Sequence, residues 1–235
     1  MALGTIAGTV VHDFNNISAA FQALLHLLEG REVSEERRAL IFREGRRTLE
    51  NGKTLTERLA LFARRERIRA VPHDITRLLT GCRPIIERIL GRDAELFITC
   101  DENLWKACCD RAEFEIALVN LATNARDAMG RNGEVIVMAR NGLRGEGDPE
   151  TYPKEFVEVT VQDNGCGMDE ETAAKAVDPF FTTKAVGHGT GLGLSGVARF
   201  AADIGGAMRI ASEPAVGTAV TLVLPRDQGR LDRSR

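Results

Sequence analysis

Four short stretches of this 235-residue chain carry side chains with more chemistry than packing requires. In "VVHDFNNISAAF", residues 10–21, His12, Asp13 and Asn16 interrupt an apolar run. A neutral imidazole offers a nucleophilic lone pair near pH 7. Asp13 is close enough to orient it, and Asn16 is an amide one helical turn further on. In "LVNLATNARDAM", residues 118–129, Asn120 and Asn124 stand at i and i+4, hence on one face of a helix. "DNGCGMD", residues 163–169, joins an acceptor-only carboxylate to Gly165 and Gly167, which let backbone turn sharply and approach a flat ligand. "DPFFTTKAVGHGTGLGLS", residues 178–195, supplies Thr182, Thr183 and Lys184, then Gly187, Gly189, Gly191 and Gly193 ahead of a helix start. Helix-start N–H groups suit phosphate. Taken singly these are ordinary features: a surface histidine, a helix face, a turn and a loop. Gly191, Gly193 and Gly196 match G-x-G-x-x-G with Glu213 further on, but the strand a dinucleotide fingerprint needs is replaced by irregular sequence. No G-x-x-x-x-G-K-[ST] phosphate loop occurs.

The elements that must position these residues fall into two parts. Val10, Phe14, Ile17, Phe21, Leu24 and Leu28 alternate by four and three, a helical seam. At about 100° per residue His12 lies opposite that seam, with Asn16 about 40° round from it. "EGREVSEE" breaks the pattern, with Ser34 as N-cap, and a second helix follows with Ile41, Gly45, Thr48, Gly52, Leu55, Leu59 and Phe62 in its seam. A hairpin of two helices has too little core to stand alone, so pairing into a dimeric four-helix bundle is expected. His26 lies off the seam without an acid or amide beside it, and His73 and His188 sit in a linker and a loop.

"RRERIRAVPHD" reads as a linker, ending at Asp74 as a cap. Beyond it the pattern is α/β: a helix over 75–90, strands "AELFITC" and "WKACC", and a long helix over 111–129. Strands "EVIVMAR" and "EFVEVTVQD" flank a loop, "NGLRGEGDPETYP". A glycine-rich region over 164–193, a helix over 192–204 and strands "AMRIAS" and "GTAVTLVLP" complete the part. The expected division is 1–66 helical hairpin, 67–74 linker, 75–225 α/β domain and 226–235 polar, loose tail.

Net charge of −3 and the lack of a basic stripe interleaved with aromatics argue against nucleic acid. Five cysteines without C-x-x-C spacing argue against zinc and a disulfide framework, and for a reducing compartment. No apolar run approaches the ~18 residues of a membrane span, so a cytoplasmic chain is expected.

In this order and spacing, the blocks at 118–129, 163–169, 178–184 and 187–195 resemble the ATP-binding domain of the GHKL superfamily, which includes gyrase and the sensor histidine kinases. The first part resembles the kinases' dimerisation and phosphoacceptor domain, with "HDFNN" as its H-box; together the resemblance covers residues 3–225. It implies a four-helix bundle joined to a sandwich of mixed sheet with helices on one face. It implies Asp163 as the reader of adenine's amine, with Gly165 and Gly167 beside the base. Asn124 corresponds to the Mg²⁺ ligand, Asn120 lies near the triphosphate, and Thr183, Lys184, Gly189, Gly191, Gly193 and Leu194 form a lid over the nucleotide. The ATP-hydrolysing branch has a glutamate at position 120 as general base for water. Asparagine cannot take that proton, so the γ-phosphoryl group is left for His12, with Asp13 assisting.

The resemblance further implies a homodimer, ATP with Mg²⁺, onward transfer to an aspartate of a response-regulator receiver domain, and a phosphatase role for Asn16. Asp13 stands where the family more often has glutamate, and Ile17 where it has proline, which shortens the acid's reach and removes a helix kink. Two other readings remain: a phosphorelay module with a degenerate nucleotide domain, and a GHKL ATPase. With eleven residues ahead of His12, the chain is expected to be the core of a longer sensor or hybrid kinase, or to take its signal from a partner.

Overall fold

The computed structural model describes residues 18–20, 22–24, 26–28, 34–35, 37–45, 48, 70–130, 133–145, 149–150, 152–184 and 191–229. The chain divides into two compact units, residues 1–66 with 184–188, and residues 67–183 with 189–235. His12, Asp13, Asn16, Gly187, His188 and Gly189 lie outside the described residues, as does much of the expected hairpin.

Within the first unit the described residues are helical over 18–20, 22–24, 26–28, 37–45 and at 48. The Ser34 hydroxyl accepts the Arg37 N–H at 3.3 Å, as the N-cap reading requires. Ile41 is buried, and Leu24, Leu28, Gly45 and Thr48 are half-buried. Gln22, Ala23, His26, Leu27 and the residues flanking Ile41 are exposed. The alternating spacing thus marks the less exposed stripe wherever its residues are described.

The second unit begins with β1 (Val71–Asp74), α1 (Ile75–Leu90), β2 (Ala94–Cys100), β3 (Lys106–Cys109) and α2 (Arg111–Ala128). There follow β4 (Gly133–Leu143), β5 (Glu155–Asp163), the short α3 (Glu170–Lys175), α4 (Gly193–Asp203), β6 (Ala207–Glu213) and β7 (Gly217–Pro225). β2, β4, β5, β7 and β6 form one sheet in that order. β2 pairs parallel with β4, and the remaining neighbours are antiparallel. β1 and β3 make a separate two-stranded ribbon.

Alternation along the strands explains the core. Val135, Val137 and Ala139 of β4, Val157, Val159 and Val161 of β5, and Val220, Leu222 and Leu224 of β7 point to one face. They pack with the apolar stripe of α1 (Ile75, Leu78, Leu79, Cys82, Ile86, Leu90), with α2, and with Val197, Phe200 and Ala201 of α4. The helix starts follow their caps: Asp74 accepts from Arg77 N–H, and Asp110 accepts from Ala112 and Glu113 N–H. On the opposite face Glu158 is buried between the guanidinium groups of Arg140 and Arg209, and Arg209 lies over the Tyr152 ring.

Four departures from the sequence reading have local causes. Residues 71–74, read as linker, are β1; Val71 pairs with Cys109, and Pro72 is tolerated in a two-stranded ribbon. α3 escaped notice within the glycine-rich region because it buries no residue and so has no apolar period. It is held by Asp169, whose carboxylate accepts the Thr172 N–H at 2.8 Å. β4 continues to Leu143 because Asn141, Gly142 and Leu143 still pair with Val157, Phe156 and Glu155. The tail is tied down at its start: Arg226 stacks 4.1 Å from the Trp105 ring centroid and pairs with Glu155 at 2.9 Å. Asp227 N–H reaches Lys106 O at 2.8 Å.

Candidate nucleotide site

The long helix α2 is the spine of the site. Asn120, Asn124 and Ala128 follow one another at four-residue steps, about 6 Å apart along the axis, and so share a face. Both asparagines are half-buried. At the Ala128 end the "DNGCGMD" loop docks: Cys166 N–H donates to Ala128 O at 2.9 Å. A Cβ added to Gly165 would come within 2.8 Å of the Ala128 methyl and of Asp163 Oδ1. One turn earlier, Asn124 faces the start of α4, where a Cβ on Gly193 would meet its amide nitrogen at 3.5 Å and its oxygen at 3.8 Å. One helix face therefore presents the carboxylate loop and the lid helix side by side.

Asp163 closes the inward row of β5, after Val157, Val159 and Val161. Burial pushes its carboxyl above the usual carboxylate range, while N–H groups of Gly165 and Thr218 donate to it and act in the opposite direction. An ionised group in such a place is short of water and selective for a donor. Gly167 has φ +64°, and a Cβ there would lie 1.9 Å from Glu213 O. This position needs glycine because the loop presses directly on the β6–β7 hairpin. Ala215 N–H reaches Cys166 O at 2.8 Å, and Met168 N–H reaches Ser212 Oγ at 2.8 Å.

The approach to α4 builds the other end of the candidate site. Phe180 N–H donates to Gly191 O at 2.8 Å, and both residues have positive φ. A Cβ on Gly191 would overlap the Phe180 carbonyl carbon at 2.2 Å, so the aromatic "FF" segment and the glycine run are locked backbone to backbone. α4 starts at Gly193, within a residue of the expected limit, and no side chain among the described residues caps it; Ser195 Oγ donates to Leu192 O at 3.2 Å. Gly193, Leu194 and Ser195 are its first three residues, whose N–H groups have no intrahelical acceptor. Thr183 is exposed. Lys184 is half-buried and falls in the other compact unit. Gly189 lies outside the described residues.

Two residues of this neighbourhood went unread in the sequence. Asp163 is paired across strands with Thr218, and Thr218 with Ser212. The inward rows Val220–Leu222–Leu224 and Met208–Ile210 thus end, like that of β5, on a polar residue. A polar side chain closing an apolar alternation was the available signal. A hollow of about 260 Å³ borders these strand ends, lined by Asp163, Ser212 and Thr218 together with Gln162, Ala211 and Ala219, whose register puts them on the opposite face.

For a divalent cation the donor set is one neutral amide oxygen, Asn124, and no group of three or more His, Cys, Asp or Glu side chains gathers among the described residues. That set does not make a standing all-protein site. It fits Mg²⁺ that arrives with phosphate oxygens and keeps several waters.

Residues 109–228, just over half of the chain, match the family described as histidine kinase-, DNA gyrase B-, and HSP90-like ATPase. The chain belongs to this family. This histidine-kinase-type ATP-binding domain has a relative in the sensor kinase CckA of Brucella abortus (strain 2308). The two are 34% identical over 229 residues, which is 96% of this chain and 24% of that one. Full-length ShkA in complex with AMPPNP has the same fold, with a TM-score of 0.69 and 20% identity over 96% of this chain and 46% of its own. So has the histidine kinase ThkA in complex with the response regulator protein TrrA, with a TM-score of 0.63 and 19% identity over 96% and 61% of the two chains. The chain spans about a quarter of the length of the CckA relative. No helix among the described residues is long and apolar enough to cross a membrane.

Proposed function

We propose that the chain is the core of a cytoplasmic, ATP-dependent protein-histidine kinase of a two-component system, with His12 as its phosphoacceptor. The observation that carries this reading is a helix face that unites a carboxylate-and-glycine loop with an uncapped helix start, and that has asparagine at position 120.

Asp163 accepts a hydrogen bond from adenine's exocyclic amine, and Gly165 and Gly167 bring backbone to the base. Gly193, Leu194 and Ser195 direct N–H groups at phosphate oxygens, with Thr183, Lys184, Gly189 and Gly191 in the segment that closes over them. Asn124 would hold Mg²⁺, which would supply charge neutralisation at the phosphate oxygens. Asn120 has no proton-accepting carboxylate, so water is not activated there. The neutral His12 ring uses its nitrogen lone pair on the γ-phosphorus: the P–N bond forms, the bond to the β-phosphate oxygen breaks, and ADP leaves. Asp13 orients the ring and stabilises its other N–H. Similarity to a kinase solved with its response regulator supports onward transfer to a receiver aspartate. Asn16, on the His12 face, orients water in the reverse, dephosphorylating reaction. The hairpin pairs two chains through its apolar seam.

The deciding experiment is incubation with γ-labelled ATP. The unmutated chain acquires an acid-labile label. His12→Ala binds ATP and acquires none; a label that persists in that variant places the acceptor elsewhere and ends the proposal.

A further inference from the structure

We propose that Ser212 is a positioning residue that sets which base the site prefers, by holding the Thr218 hydroxyl in an acceptor-only state; this rests on the adenine reading of Asp163 above. Asp163, Thr218 and Ser212 are successive cross-strand neighbours on the inward ends of β5, β7 and β6. Asp163 and Thr218 stand directly opposite each other in the β5–β7 pairing, so the Thr218 side chain starts beside the carboxylate.

The direction of each hydrogen bond follows from counting protons. Ser212 Oγ has one proton and two lone pairs. Met168 N–H, 2.8 Å away, only donates. Gly217 O, 3.0 Å away, only accepts. The single Ser212 proton therefore goes to Gly217, and Ser212 must accept from its third partner, Thr218 Oγ1 at 2.8 Å. The Thr218 proton is then committed to Ser212, and its remaining lone pairs accompany the Asp163 oxygens. Two acceptors side by side match a base edge with an amine, and oppose a carbonyl at the same place. A site with unmatched polar groups rejects the wrong partner far more strongly than an apolar pocket does. Ser212, although it need not touch the base, removes a donor that could welcome a carbonyl.

The test compares ATP with inosine triphosphate, whose base carries a carbonyl where adenine has its amine. Binding of both to the full chain is measured by calorimetry for the unmutated protein, Ser212→Ala, Thr218→Val and the double variant. The unmutated chain prefers ATP. Ser212→Ala frees the Thr218 proton and lowers the ATP-to-inosine ratio about tenfold, the worth of one neutral hydrogen bond. On the Thr218→Val background the same change alters the ratio less than about twofold, because the shared partner is gone. Equal weakening of both nucleotides by Ser212→Ala, with the ratio intact, would mean that Ser212 only braces the loop, and overturns the inference. Should Ser212→Ala fail to fold, Thr218→Val decides: an unchanged ratio there overturns it as well. Absence of ATP binding by the unmutated chain removes the nucleotide reading itself, an outcome distinct from either.

Discussion

Replacing Gly167 with alanine should cost the site its nucleotide while leaving the fold intact. The new methyl would stand 1.9 Å from Glu213 O and 2.7 Å from Glu213 C, against a normal carbon contact of about 3.5 Å. The hairpin backbone cannot yield, because β6 and β7 are paired from Ala207↔Val223 to Glu213↔Gly217. The loop must therefore lift by more than 1 Å, which breaks Ala215 N–H to Cys166 O and Met168 N–H to Ser212 Oγ. Two net hydrogen bonds contribute about 1 kcal/mol each. The left-handed backbone of φ +64° costs a non-glycine residue a further 1–2 kcal/mol, roughly. The sum, about 3–4 kcal/mol, is below the ~5–15 kcal/mol of a typical domain, so the chain folds with a displaced loop. If binding requires the docked loop, ATP affinity falls by roughly 10²–10³. Calorimetric titration with ATP measures this, and circular dichroism checks the fold. Gly205→Ala is the control: it shares a positive φ of +74° but opens into empty space, so it should change stability by about 1 kcal/mol and affinity not at all. A Gly167→Ala protein that is folded and binds ATP within twofold of the parent would refute the claim that this loop must press on the hairpin to work.

Three further outcomes follow from the site. The folded Asp163 carboxyl titrates above its unfolded value, so ionising it costs the nucleotide-free fold stability as pH rises through the folded pKa. The melting temperature of Asp163→Asn relative to the parent should therefore climb between acid and neutral pH; a difference flat with pH would contradict the burial argument. Asn124→Ala should weaken ATP binding about tenfold in Mg²⁺ and little in a chelator, since it removes an amide oxygen offered to the cation; equal losses in both buffers would reassign Asn124 to the nucleotide. Asn16→Ala should keep the acid-labile label on the chain but slow dephosphorylation of a receiver domain, measured by its loss of phosphate; an unchanged rate removes the phosphatase role.

Residues were legible in the sequence where one local rule governed them. The strand Ala94–Cys100 and the helix Ile75–Leu90 show their period and their cap within their own length, and both appear with the expected limits. β1 and α3 have no period to show: one is four residues stabilised by a distant partner, the other buries nothing. The same division runs through the site. Asp163, Gly165 and Gly167 stand together in one motif, and the structure explains each by a contact within reach of that motif. Thr218 and Ser212 become neighbours of Asp163 only once the register of β5 with β7 and of β7 with β6 is known. Lys184, next to Thr183 in the motif, falls in the other compact unit.

The two ends of the site are held by different means, and this difference bears on how the domain would work. The end proposed for the base is fixed by backbone: glycines without room for a Cβ, hydrogen bonds from Cys166 and Met168, and a row of polar residues across three paired strands. Its geometry survives most side-chain changes and depends on register. The end proposed for phosphate is made of half-buried amides on α2 and a helix start that no side chain caps among the described residues. Among these groups only Asp163 is a carboxylate, and it belongs to the loop end. Asn120 and Asn124 are amides, which cannot take a proton from water, and the carboxylate of Asp127 on the same face is paired with Arg126 at 2.7 Å. A nucleotide bound between these ends would be gripped by its base, with an amide rather than a carboxylate offered at position 120. Such a domain holds the phosphoryl group for a nucleophile brought to it, which is the part proposed for His12.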